Sequence, residues 1–245
     1  MVNNFITRSI TAFYLLFLLL TIFFLKVNFL ILLPLFLCIY YELYKVKLIN
    51  YFYIIFFTLF YIMFLFYFDL TYLFILEYKF LFFSIFISFI LFSFFLKKPF
   101  LKIFFLNFFI FFCFVYSSLL YAFNFNVFFI IIILTSFNDI VAYISGSYLK
   151  GPKIIPKVSP SKTWSGSLIS YFISFLLLFL FIEFNLIFSI LLPMTYFFGD
   201  IYFSNFKRFL SIKDYGSIIK GHGGLLDRLD SSLFSISFSF LFLLF

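Results

Sequence analysis

Carboxylates within apolar sequence are the first residues of this chain that could do chemistry. Asp139 and Asp200 each lie inside a long apolar run, and Asp227 and Asp230 stand three positions apart just before another. A carboxylate near the centre of a bilayer costs about 2.5–3.5 kcal/mol even on the lenient insertion scale, so these acids need a wet cavity, a cation or basic partners. If a helix begins near Leu225, Asp227 and Asp230 share one face, and Asp200 can approach from the preceding apolar segment. Carboxylates with waters and phosphate oxygens are usual Mg²⁺ ligands, so we expect a divalent metal here.

Further charged groups lie between Gly199 and Asp230. They are Lys207, Arg208, Lys213, Asp214 and Arg228, together with His222, the only histidine in the chain. Arginine suits a bidentate grip on phosphate, and lysine suits neutralisation as a point charge. A histidine flanked by glycines and acids is equally consistent with a structural hydrogen-bonding role and with acid–base catalysis.

A second candidate segment, residues 150–164, carries four lysines and three prolines and contains no acid. Prolines preset the shape of such a loop, while ammonium and hydroxyl groups can donate to an oxyanion. Ser159, Lys162 and Thr163 precede an apolar segment, where the N–H groups of a helix N-terminus would also favour anions. The alternative is an ordinary basic loop on the cytoplasmic side of a membrane protein.

The third candidate is the polar face around Asp139. Ala142, Tyr143 and Gly146 follow it at helical spacing, so all four residues share one face of a helix. The alternative is a buried aspartate that is hydrogen-bonded to a neighbouring helix.

The elements that carry these residues are predicted to be membrane helices. Of the 245 residues, 66% are apolar or aromatic and 11% are charged, against about 25% charged in soluble domains. That composition excludes a soluble enzyme, a disordered tail and a disulfide-stabilised module. Backbone polar groups in lipid must be paired within the chain, which favours an all-α bundle over an open sheet. We expect about nine spans, near 9–25, 28–44, 49–68, 80–96, 102–122, 125–148, 164–182, 185–206 and 230–245.

The basic residues orient these spans. With a cytoplasmic N-terminus, Lys26 and Lys79 are the only two of the 17 Lys and Arg residues that fall outside the cell. Cytoplasmic connections are enriched in Lys and Arg, so this asymmetry supports the span count and explains the net charge of +8 without nucleic acid. We expect a multi-pass protein of a bacterial plasma (inner) membrane. Cys38 and Cys113 lie in apolar runs and are interpreted as packing residues.

Glycine divides the chain into two regions. All eight glycines lie between Gly146 and Gly224. Glycine permits tight turns and close backbone approach, so special backbone is expected only in the second half. We predict an N-terminal region of about five spans, 1–123, and a catalytic region, 124–245, with cytoplasmic loops at 149–163 and 207–229.

The motifs of the second region resemble those of the phosphatidate cytidylyltransferases (CDP-diacylglycerol synthases). That signature reads S-x-x-K-R, four residues, K-D-x-G and then H-G-G-x-x-D-R-x-D, and it is met from Ser204 to Asp230. The upstream elements D-x-x-A-Y-x-x-G and S-P-x-K-T match Asp139–Gly146 and Ser159–Thr163. The resemblance covers about residues 139–230, with departures at Lys220 and Ser165. So many fixed residues at fixed offsets are far more specific than a lone glycine motif.

The resemblance implies transfer of a cytidylyl group from CTP to phosphatidate, giving CDP-diacylglycerol and pyrophosphate. It implies Mg²⁺ held by the residues at Asp200 and Asp227, with a second, monovalent cation and a homodimer left open. A CTP-dependent lipid kinase, a cytidylyltransferase acting on another lipid phosphate and a membrane transporter are the alternatives. No motif is repeated in the first half, which argues against a transporter built from two repeats.

Overall fold

The computed structural model describes residues 14, 17, 20–25, 28–182, 184–216, 218 and 223–245. Nine α-helices with named bounds follow one another in the described residues from 28 onwards. They are α1 (Leu32–Lys45), α2 (Tyr51–Phe66), α3 (Phe68–Glu77), α4 (Lys79–Phe95), α5 (Pro99–Phe123), α6 (Phe125–Leu149), α7 (Trp164–Leu176), α8 (Leu186–Phe209) and α9 (Leu226–Leu243). A 3₁₀ turn at Phe29–Ile31 precedes α1, and a π-helical turn at Leu177–Phe181 extends α7.

The helical prediction is confirmed, with one small exception between α6 and α7. There, β1 (Lys153–Ile155) and β2 (Ser159–Thr163) form an antiparallel hairpin. Lys153 pairs with Thr163 and Ile155 with Ser159, and the register shifts between the two pairs. The all-α expectation missed this hairpin, which lies outside the apolar segments where lipid would forbid an open sheet edge.

Each predicted span from 28–44 onwards contains a helix, but the count of nine spans stays a prediction. Among the described residues, α5, α6 and α8 are long and apolar enough to cross a bilayer by themselves. Helices α1, α2 and α4 have 14, 16 and 17 residues, fewer than the roughly 20 that a span needs. The span predicted at 9–25 lies mostly outside the described residues. The structure therefore supports a helical membrane protein.

Helix α3 occupies most of the connection predicted at 69–79. It turns by 88° from α2, so the two helices form either one broken span or a re-entrant pair. Asp69 stands in its first turn, where a carboxylate complements the positive end of the helix dipole. Leu70, Leu73 and Phe74 are exposed along it. An apolar helix with a favourable first turn forms here, although the segment is too short to be predicted as a span.

The described residues form two compact units. The first unit comprises the described residues within 1–123 and 213–229, and the second comprises those within 124–212 and 230–245. Helix α9 therefore begins in the first unit and continues in the second. The predicted catalytic region, 124–245, stays a prediction about function, because packing does not say which residues act on a substrate.

Aromatic side chains build the core of the first unit. Its first segment, residues 1–123, has no glycine in its sequence. Phe36 stacks on Tyr61 with ring centroids 4.5 Å apart and meets Phe114 edge to face at 5.2 Å. Tyr61 shares a hydrogen bond with Ser118, and the Tyr40 hydroxyl donates to the Asn107 carbonyl at 3.0 Å. Large rings thus fill the space between these helices.

Glycine allows close packing of helices in the second unit. A Cβ on Gly166 of α7 would lie 2.5 Å from the Ala142 carbonyl oxygen and 3.2 Å from the Gly146 Cα of α6. On α8, a Cβ at Gly199 would lie 2.8 Å from the Phe234 Cβ of α9. The confinement of glycine to the second half therefore reflects backbone contact between these helices as well as turns.

Gly166→Ala tests this contact. We expect a loss of about 1–3 kcal/mol of stability, because the clash is with backbone that cannot rotate away. The thermal unfolding midpoint of the purified protein in detergent measures it. Phe172→Leu, on the exposed side of the same helix, is the matched control and should change stability by about 0.5 kcal/mol or less. A raised midpoint for Gly166→Ala, as the higher helix propensity of alanine alone would give, would contradict the contact.

Candidate active site

Asp200 and Lys162 form an ion pair in the second unit. Asp200 lies in α8 and Lys162 in β2, so two motifs that are 38 positions apart meet here. The Ser204 hydroxyl, one turn along α8, donates to Asp200 Oδ1 at 3.1 Å. The intramembrane carboxylate thus has the basic partner that its burial requires.

Asp230 joins the same group of charges. Its Oδ2 lies 3.9 Å from Lys207 Nζ, and its Oδ1 accepts from the Ser231 N–H at 2.7 Å. Both side chains of this pair are nearly buried, and Asp230 also interacts electrostatically with Asp200 and Asp139. Residues from the three predicted motifs are therefore brought together, with one lysine paired to Asp200 and another to Asp230.

A cavity of about 260 Å³ lies beside this group. Asp139, Ala142 and Lys162 line it, together with the aromatic side chains of Trp164, Tyr171, Phe197 and Phe198. Lys162 Nζ lies 5.7 Å from the centre of the Phe197 ring. Tyr143, predicted on the same face as Asp139, is exposed. The cavity thus joins a charged end to an apolar wall, which suits a ligand with both kinds of surface.

Three side chains hold the β1–β2 hairpin in place. Arg208 Nε donates to the Val158 carbonyl at 3.0 Å, which ties the turn of the hairpin to the end of α8. Thr163 Oγ1 accepts from the Gly166 N–H at 3.2 Å and so caps α7. Ser165, one of the departures from the signature, accepts from the Gly151 N–H at 3.3 Å. The observed bonds of Thr163 and Arg208 are thus structural, and their predicted substrate contacts stay predictions.

In the first unit, Asp227 binds two backbone segments, one at Tyr215 and one at Gly224. Its Oδ2 accepts from the Tyr215 N–H at 2.8 Å and from the Gly224 N–H at 2.9 Å. Gly223 adopts a φ of +86°, which glycine tolerates without strain. The K-D-x-G and G-G-x-x-D elements of the signature are therefore folded onto each other around one carboxylate oxygen.

Glu42 contacts this loop from another element and was not predicted from the sequence. It lies in α1 with 1% exposure, and its carboxylate accepts from the backbone N–H groups of Leu225 and Leu226. A cavity of about 400 Å³ beside it is lined also by Lys45, Asp214 and Gly216. Glu42 lies outside every motif, and the one available signal was an acid among apolar residues of a predicted span.

The remaining predicted residues are divided between the units. Lys213 and Arg228 belong to the first unit, with Asp214 and Asp227, and Ser159 belongs to the second, in β2. His222 and Lys220 lie outside the described residues. Because Asp200 and Asp227 fall in different units, the joint metal site predicted for them stays a prediction.

The carboxylates of the described residues are the kind of ligand that Mg²⁺ prefers. No group of three or more His, Cys, Asp or Glu side chains converges within the part of the chain that the structure describes. Mg²⁺ is commonly bound by one or two carboxylates, with waters and substrate phosphates completing the octahedron. The acids at hand thus fit a metal that arrives with a phosphate ligand.

Comparison with known proteins adds to these observations. Residues 6–245 match the profile of the Cytidylyltransferase family. Phosphatidate cytidylyltransferase of Rickettsia bellii is 43% identical over 108 residues, which is 38% of this chain and 47% of the relative. The enzymes of the same name from Rickettsia conorii and Staphylococcus saprophyticus are 37% and 41% identical over 118 and 115 residues. These matches cover 42% and 43% of this chain, and 51% and 43% of the relatives.

The chain spans about half the length of these curated relatives. The family match, in contrast, extends over almost the whole sequence, including the helices of the first unit and the loop that Asp227 and Glu42 hold. This chain therefore belongs to the Cytidylyltransferase family.

Proposed function

We propose that this protein transfers the cytidylyl group of CTP to phosphatidate, giving CDP-diacylglycerol and pyrophosphate. The observation that carries the proposal is the contact of Lys162 with Asp200, beside a cavity with a charged end and an aromatic wall. The names of the relatives supply the substrates. One substrate is a lipid and the other is soluble, which explains why charged groups stand within apolar helices.

The reaction joins two polyanions. A phosphate oxygen of phosphatidate forms a bond to the α-phosphorus of CTP, and the bond from that phosphorus to the β-phosphate oxygen breaks. Pyrophosphate leaves with the electron pair. The attacking phosphate monoester is largely ionised at neutral pH, so no side chain has to act as its general base. Catalysis of such a transfer is mainly positioning and charge neutralisation.

Cationic side chains supply much of that neutralisation. Lys162 lines the cavity, and its ion pair with Asp200 holds the ammonium group there. Lys207 is held in a similar way by Asp230. We assign the remaining phosphate contacts to Arg208, Lys213 and Arg228. Preorganised cations stabilise the negative charge of a transition state more strongly in a site that excludes water than in bulk water.

Asp200 and Asp227 are the proposed Mg²⁺ ligands, and a bound Mg²⁺ would neutralise charge on the triphosphate. Asp227 is suited to a fixed role because two backbone N–H groups hold its Oδ2. Asp230, in the second unit, interacts electrostatically with Asp200.

The first prediction concerns the products. Purified protein with α-labelled CTP, phosphatidate and Mg²⁺ should place the label in the lipid fraction and release pyrophosphate into the aqueous phase. Chelation of divalent cations should stop both. A parallel reaction with γ-labelled CTP and diacylglycerol tests the kinase alternative. Label in lipid from the γ-position only, with CDP as the soluble product, would overturn the proposal.

Asp227→Asn tests the carboxylate at the centre of the signature. Asparagine retains an oxygen that can accept from Tyr215 and Gly224, but it lacks the charge. We therefore expect turnover to fall by about 100-fold or more while the protein stays in the membrane fraction. Asp69→Asn, an acid at the start of α3, is the control and should change turnover by about 2-fold at most. Wild-type turnover by Asp227→Asn would remove Asp227 from the site.

We also propose that the N-terminus and the loops at 149–163 and 207–229 face the cytoplasm of a bacterial plasma membrane. Lys157 lies exposed in the hairpin turn, so Lys157→Cys in a Cys38→Ala background can report its side. A membrane-impermeant maleimide should label it in inside-out vesicles and leave it unlabelled in intact cells. Glu77→Cys, predicted on the outer side, should show the reverse pattern. Labelling of Lys157→Cys in intact cells would contradict the orientation.

A further inference from the structure

Glu42 is buried far from the signature in sequence, yet it contacts the signature in the first unit. The side chain is 1% exposed. Burial of an ionised carboxylate is costly unless hydrogen bonds satisfy it. The bonds that satisfy Glu42 come from a loop that lies 183 positions further along the chain.

Those bonds are made at the start of α9. The Leu225 N–H donates to both carboxylate oxygens, at 2.9 and 2.8 Å, and the Leu226 N–H donates to Oε2 at 3.2 Å. The first N–H groups of a helix have no partner within the helix, and a negative charge there also complements the helix dipole. Glu42 thus caps the helix that carries Asp227 and Arg228.

Two signature glycines lie against the same carboxylate. A Cβ on Gly216 would lie 2.5 Å from Glu42 Oε1, and a Cβ on Gly224 would lie 2.9 Å from Glu42 Oε2. Neither glycine has a positive φ. Close approach to Glu42 therefore requires glycine at position 216. At position 224 the backbone nitrogen of Gly216, 2.8 Å away, and Asp227 Oδ2, 2.9 Å away, leave as little room as Glu42 does.

The segment that Glu42 holds also holds Asp227. Gly224 donates its N–H to Asp227 Oδ2, and Tyr215, next to Gly216, donates to the same oxygen. A displacement of Gly216 or Gly224 would therefore move the donors that fix the Asp227 carboxylate. Glu42 reaches Asp227 through these two glycine segments.

We propose that Glu42 is a positioning residue that sets the described parts of the signature loop, residues 213–216 and 223–228, for binding of the CTP triphosphate. The proposal rests on the proposed function, since it assigns that loop to the nucleotide. Glu42 itself touches neither substrate. Its carboxylate acts through the helix N-terminus and through Asp227.

Glu42→Gln and Glu42→Ala test the proposal, with Glu77→Gln as the matched control at an exposed glutamate of α3. For both Glu42 variants we expect the KM for CTP to rise by about 10-fold, the effect of losing a hydrogen bond to a charged acceptor. The KM for phosphatidate should change by about 2-fold at most. An inactive or unfolded fraction lowers kcat and leaves KM unchanged, so the rise in the KM for CTP separates positioning from a loss of folded protein.

Amide hydrogen exchange gives a readout that is independent of activity. In Glu42→Ala, the N–H groups of Leu225 and Leu226, and also those of Tyr215 and Gly224, should exchange about 10-fold faster than in the wild type. Amides of α5 should keep their wild-type rates. If the wild-type protein made no CDP-lipid, the proposed function would be wrong. The exchange rates would still show whether Glu42 holds these backbone segments in place.

The contact with Gly216 is tested by a double variant. Gly216→Ala alone should raise the KM for CTP, because its Cβ displaces the Glu42 carboxylate. In a Glu42→Ala background the same change should have little further effect, since the space has been vacated. Additive effects would show that the two residues act separately. Wild-type KM values for CTP in the Glu42 variants, with or without faster exchange, would overturn the positioning role.

Discussion

Carboxylates enclosed by apolar sequence are the constraint on which the rest of this structure depends. Each must be satisfied by a cation or by N–H groups, because neither lipid nor a packed core can solvate it. Asp200 is satisfied by Lys162 and Ser204, Asp227 by two backbone N–H groups, and Glu42 by the start of α9. Lys162, Tyr215 and the start of α9 come from more distant segments, whereas Ser204 and Gly224 lie within one turn of their acids. The need to satisfy these acids therefore draws the hairpin and the signature loop against their helices.

The two kinds of partner have different consequences for function. A backbone N–H is fixed in place, so Asp227 and Glu42 confer rigidity on the first unit and are poorly placed to exchange partners. A lysine on a flexible stem can move between a carboxylate and a phosphate with little backbone change. In the second unit, Lys162 and Lys207 are therefore the groups best able to follow an incoming anion.

Much of this arrangement was predictable from the sequence. Apolar run lengths located the helices from 28 onwards except α3, and the helix that was assumed to begin near Leu225 begins at Leu226. The Lys162–Asp200 contact follows from the need of an intramembrane acid for a basic partner, although its particular partner could not be read from spacing. The hairpin at 153–163 was missed because proline and lysine also describe an irregular loop. Helix α3 was missed because ten residues are too few to predict as a span, and a bend of 88° depends on tertiary packing.

Glu42 shows why a sequence motif does not identify every residue that supports the site. A motif records residues at fixed offsets, and a partner on another helix has no fixed offset from it. Glu42 affects the motif indirectly. Its carboxylate takes up the space that a side chain at Gly216 would need, and it crowds Gly224 together with Asp227 and the backbone of Gly216. A glycine without a positive φ in a polar loop thus indicates a neighbour at van der Waals distance, and a buried acid elsewhere in the chain is then the natural candidate. The glycines of a signature therefore indicate where supporting residues approach the backbone, as well as where the backbone turns.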